Sequence, residues 1–133
     1  MSALSAYLEN KIADHTLGAV TYTPPATLHL ALFTAAPSET GGGTEVSGGS
    51  YVRLAISNNA TNFPNAVSGV KSNGVALTFI EATGNWGTIT HWGLFDASTG
   101  GNLLFFGALG ASTVINTADQ LSVPIGDLDI TFE

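Results

Sequence analysis

Short runs in which every second residue is apolar, each closed off by Gly, Asn, Pro or Asp, constrain this chain more than any other feature. Leu28, Leu30 and Leu32 alternate with His29, Ala31 and Phe33 just after Pro24-Pro25, and Val52, Leu54 and Ile56 alternate with Tyr51, Arg53 and Ala55. A period of two is the pleat of a β-strand, whose successive side chains leave opposite faces. Because both sets of the first run are largely apolar, that strand is expected to be buried on both sides. Further runs at Val75 to Ile80, Gly87 to Phe95, Leu103 to Leu109, Gln120 to Val123 and Leu128 to Phe132 complete the expected strands. Their centres lie about ten to fifteen residues apart with no helical pattern between them, which argues against βαβ units. The expectation is a single mainly β domain over residues 1–133, an antiparallel β-sandwich or jelly-roll-like fold.

One helix precedes the strands. Leu4, Tyr7, Leu8, Ile12 and His15 follow helical spacing, which predicts a helix within residues 1–18, with Ser2 as its N-cap and Gly18 as its stop. Residues 37–50 hold Gly41-Gly42-Gly43 and Gly48-Gly49, too polar and too costly in backbone entropy to form an element. That stretch is expected to be an exposed, mobile arm.

Composition excludes several functions. Ten acids face three strong bases, Lys11, Arg53 and Lys71, for a net charge of −7. Nucleic acid and anionic membrane surfaces are therefore poor partners, since binding them depends on neutralising phosphates with Lys and Arg. The absence of cysteine removes disulfides, thiolate metal sites and a thiol nucleophile together. Glu9, Lys11 and Asp14 interrupt the apolar run that a signal peptide needs, so synthesis without a classical export signal is expected. Charged residues make up 10% of the chain against about 25% in an ordinary soluble domain. A surface so sparsely charged is suited to being covered.

No catalytic, cofactor or metal constellation emerges. His15, His29 and His91 lack the short spacing of a zinc site, and His29 and His91 read as packed, hydrogen-bonded strand residues, His91 sharing a face with Ile89 and Phe95. Asp127, Asp129 and Glu133 fall on one face of the last strand but lack the loop pattern of a calcium site. They are expected to be a wet face. There is no Gly-x-Ser-x-Gly elbow and no phosphate loop, and for an enzyme acting on cell-wall material only acids such as Glu81 and Asp96 would offer themselves. Trp86 and Trp92 stand in the densest aromatic region, either core or a platform for receptor sugars. Leu103 to Leu109 is apolar on both faces, so one face needs a cover, and a second copy of the chain is the expected one. The candidate assembly contacts are Leu4, Leu8, Ile12, Leu103, Phe105 and Leu109, and the candidate receptor contacts are Trp86 and Trp92.

Several segments together resemble a known family. Tyr7-Leu8-Glu9-Asn10, Tyr22-Thr23-Pro24-Pro25, the strand ending at Thr34, Thr44-Glu45 and Gly49 to Arg53 are followed by Asn73-Gly74, Ala82 to Gly87, Phe95-Asp96-Ala97, Thr99 to Leu104 and Gly126 to Ile130. This order resembles small virion proteins of tailed bacteriophages usually labelled tail fibre proteins, and it spans nearly the whole chain. The resemblance implies a noncatalytic virion structural protein at the particle surface. Capsid decoration, as a homotrimeric cement protein on the major capsid protein, is the first expected role. A tail fibre or tail-tip subunit in host adsorption is the other.

Overall fold

The computed structural model of the chain describes residues 2–132. In order come β1 (Ser2–Leu4), α1 (Ala6–Thr16), β2 (Thr27–Ala35), β3 (Thr44–Glu45), β4 (Leu54–Ser57), β5 (Val70–Ser72), β6 (Leu77–Thr78), β7 (Gly87–Phe95), β8 (Leu103–Ile115), β9 (Ser122–Val123) and β10 (Asp129–Thr131). One sheet runs β1-β8-β7-β2-β3, with β4 sharing the outer edge of β2. Two ribbons, β5 with β10 and β6 with β9, stand apart from it, and every pairing is antiparallel. The fold is mainly β with one short helix, as the periodicity requires.

The core lies between the large sheet and the ribbons with their connecting loops. Leu28, Leu30 and Leu32 supply it from β2, Leu94 and Leu104 from β7 and β8, and Leu77, Phe79, Leu128 and Ile130 from the other side. Each such burial contributes about 2 kcal/mol. The opposite face of β2 is buried too, at Ala31 and Phe33, where Phe33 stacks on Phe95 with ring centroids 6.2 Å apart.

Three expectations change. Leu4 does not join the helix: it pairs with Phe105 in β1, and the helix starts one residue after Ser5, whose Oγ accepts from the Leu8 backbone N at 3.2 Å. The cap is Ser5 rather than Ser2 because a sheet edge claims the first residues. The arm over residues 37–50 is anchored, since β3 pairs with β2 and Val46 is 6% exposed. The run expected from Tyr51 begins only at Leu54, since the side chains of Tyr51 and Arg53 are held in contacts off the ladder.

Local irregularities also redirect side chains. Leu94 pairs with Phe105 and Phe95 with Leu103, so Leu104 is an extra residue in β8, a bulge. A larger one falls between the pairs Ile89 with Thr113 and His91 with Ala108. Ile89 therefore enters the core with Trp92 and Leu94, and His91 does not share its face. His91 Nδ1 is hydrogen-bonded to Thr90 Oγ1 at 2.8 Å, whereas His29, expected to be bonded, has a buried Nδ1 with no partner among the described residues. No helix among the described residues is long and apolar enough to cross a membrane.

Candidate functional site

Arg53 organises one end of the molecule. Its Nε and Nη2 donate to Glu45 Oε2 and Oε1, each at 2.9 Å, and its Nη1 donates to the carbonyls of Ala97 at 2.8 Å and Gly100 at 2.9 Å. Four of the five guanidinium N–H groups are thus committed. The guanidinium also sits 3.7 Å from the centroid of the Phe95 ring. With 7% of its side chain exposed, Arg53 needs all of this to offset its desolvation. Among the described residues this is the one ion pair.

Tyr51 completes the arrangement. Its hydroxyl accepts from Leu32 N at 3.0 Å and donates to Glu45 Oε2 at 2.8 Å. Burial first, and then the Glu45 carboxylate, push the hydroxyl pKa well above the usual tyrosine value. Burial alone would raise Glu45, but the hydrogen bonds from Arg53 and Tyr51 and the Arg53 charge outweigh it and hold the carboxyl below its ordinary value. In the adjoining β7–β8 turn, Asp96 accepts from Asn102 N at 2.7 Å and from its Nδ2 at 2.9 Å. The Gly-rich segment and this turn are thereby held, with the start of α1 joined through Ala6 N donating to Glu39 O at 2.9 Å, around a cleft of about 530 Å³ lined by Tyr7, Phe33, Glu39, Thr40, Gly41 to Gly43, Glu45, Phe95 and Asn102.

The cleft contains no His or Lys, its one cation is already neutralised by Glu45, and the Glu39 carboxylate shares the lining with the aromatic rings of Tyr7, Phe33 and Phe95. Such a lining suits a neutral, hydroxyl-rich ligand that donates hydrogen bonds and stacks on a ring. No cluster of three or more metal-ligating side chains exists among the described residues. Asp129 accepts a hydrogen bond from Ser72 Oγ, Asp127 is exposed, and Glu133 lies outside the described residues.

The two tryptophans singled out from sequence are core residues, Trp86 4% and Trp92 6% exposed. Trp86 donates from Nε1 to Gly49 O at 2.9 Å and meets Tyr51 edge to face at 5.3 Å. Of the candidate assembly residues, Leu8 and Leu103 are buried within the chain, Leu4, Phe105 and Leu109 are half-buried, and Ile12 is 37% exposed. Phe105 already packs edge to face on Phe132. Glu81 is exposed and Asp96 is occupied by its turn. Sequence reasoning missed Glu45, Tyr51 and Arg53 as a unit. Their signal was three polar or charged side chains at the margin of an apolar strand, with no partner visible nearby.

The segments that carry the family resemblance turn out to be stitches. Asn73, 2% exposed, donates to the carbonyls of Val75 at 2.8 Å and Pro124 at 2.9 Å and accepts from Leu128 N at 2.9 Å. Gly74 must lack a side chain because a Cβ there would overlap the Thr61 carbonyl oxygen. Gly49 and Gly84 touch backbone to backbone, a Cβ on Gly49 coming within 2.7 Å of Gly84 O.

Comparison with curated proteins yields no match. Residues 3–131 match the family described as Podophage GP4 fiber I protein gp80. The chain therefore belongs to this bacteriophage fibre family and is a virion structural protein.

Proposed function

We propose that the chain is a noncatalytic tail-fibre subunit at the particle surface, acting in host adsorption, and that the Arg53-braced cleft meets host glycan. The observation that carries this reading is the commitment of Arg53 to Glu45 and to the carbonyls of Ala97 and Gly100. It fixes the segment from Glu45 to Arg53 against the β7–β8 turn before any ligand arrives, which lowers the ordering cost of binding. The family's fibre description supports the same reading.

Purified protein added to host cells should then compete with phage for adsorption. A Tyr7→Ala, Glu39→Ala double variant should compete at least about tenfold less well while unfolding at a similar urea concentration. Undiminished competition by a folded double variant would contradict the glycan role of the cleft.

Capsid decoration as a homotrimer on the major capsid protein is the second reading. One observation favours it: of α1, only Leu8 is fully buried, and residues 9–21 are all exposed. A helix left so bare suits assembly with another chain. Either reading keeps the chain on the virion surface.

A further inference from the structure

A second opening lies between α1 and the β5–β10 ribbon, and it reaches the core. It is a groove of about 470 Å³, within the roughly 300–1,000 Å³ typical of small-molecule sites. Leu8 and Ile12 of α1 form one wall, Leu94 and Leu104 of the large sheet lie along its floor, and Ile130 and Phe132 form the facing wall. Its lining is almost wholly apolar and includes side chains that are otherwise fully buried, such as Leu94 and Leu104.

One charged residue lines it, Lys71. In the ribbon Lys71 pairs directly with Ile130, and directly paired residues project from the same face. Since Ile130 is 3% exposed and belongs to the core cluster, Lys71 extends from the inward face of the ribbon, where a lysine is rarely placed. The nearest acid on the ribbon, Asp129, pairs with Ser72, one position along and on the other face. Lys71 is half-buried, and its ammonium has no hydrogen-bonding or ionic partner among the described residues. In a chain with ten acids, a cation lining an apolar slot without a partner among the described residues is a placed charge rather than an average one.

We propose that this groove binds a long-chain aliphatic carboxylate, its tail along Leu94 and Leu104 and its head group at the Lys71 ammonium. The apolar walls supply affinity in proportion to the chain buried, and Lys71 selects the sign of the head. Tyr22 and Asn58 are the neutral polar side chains in the same lining. The site is distinct from the Arg53-braced cleft, shares no lining residue with it, and holds whether or not that cleft meets glycan.

Titration calorimetry with dodecanoate and with dodecyltrimethylammonium, both below their micelle concentrations, tests this on the whole chain. One dodecanoate should bind per chain, at least about tenfold tighter than the cationic amphiphile of the same tail. Lys71→Glu should reverse that preference, and Ala66→Trp, which fills the groove from an exposed position, should abolish binding of both. Light scattering on the same samples follows the oligomeric state. Equal affinity for the two head groups, indifference to Lys71→Glu, or no binding by a chain whose copies close the groove against each other would overturn the proposal.

Discussion

Arg53 and Glu45 stand eight residues apart, and their side chains close the loop between them through two contacts of 2.9 Å. The loop so closed carries Gly48-Gly49 and Tyr51, and the two paired residues themselves line the candidate cleft. Removing one partner leaves the other desolvated without its counter-charge. Arg53→Ala should cost about 3 kcal/mol in urea unfolding, and Arg53→Lys a smaller but clear amount because an ammonium cannot match the fork. A loss near zero for Arg53→Ala would show that the pair is an ordinary surface contact.

Glu45 makes stability depend on pH at the acid end. Its carboxyl is held below the ordinary 4.5, so its contribution is present above that value and is lost as pH falls through the lowered one. Unfolding midpoints followed from pH 6 downward should drop less steeply in Glu45→Gln, which carries no titrating carboxyl. Identical slopes for the two proteins would remove Glu45 from the account.

Tyr51 acts at the alkaline end, with the opposite sign. Its hydroxyl pKa is raised, so its stabilisation is complete below the ordinary 10.0 and is lost as pH rises beyond it. Tyr51→Phe should lower stability at neutral pH by about 1–3 kcal/mol, since Leu32 N loses its acceptor, and should flatten the fall above pH 10. Differential scanning calorimetry across that range reads both effects.

Asn73 ties the end of the β5–β10 ribbon, at Leu128, to the end of the β6–β9 ribbon, at Val75 and Pro124. Asn73→Ala would leave the carbonyls of Val75 and Pro124 and the N–H of Leu128 without those partners. The expected loss is about 2–4 kcal/mol, with the β5–β10 ribbon gaining amide exchange before the large sheet does. Uniform exchange across both would contradict its local role.

Trp86→Ala and Trp92→Ala should each cost about 3–5 kcal/mol, as expected for a large side chain removed from a packed core. Any adsorption defect in these variants should follow loss of folded protein. A stable, folded Trp86→Ala chain with lost adsorption would return that ring to the receptor surface.

Period two made β2 readable from the sequence, and the bounds Gly87–Phe95 of β7 were legible from its flanking turn residues although a bulge breaks its alternation of burial. It failed at β5, where Val70-Lys71-Ser72 carries no apolar alternation and pairs only because β10 lies beside it. Leu4 was assigned to the helix since its spacing from Leu8 fits one turn, while the pairing with Phe105 that claims it is a hundred residues away. The candidate cleft was illegible for the same reason: Arg53 meets Ala97 and Gly100 across the fold, and no local pattern encodes such a contact. The tryptophans were open to two readings because an aromatic cluster reads alike in a core and on a sugar platform, and their burial decides for the core.

Locating and counting the chain on intact particles tests the central claim most directly. A tail-fibre subunit should appear as density on the tail, at a small number of copies relative to the major capsid protein. Hundreds of copies distributed over the head shell would contradict the account and establish capsid decoration in its place.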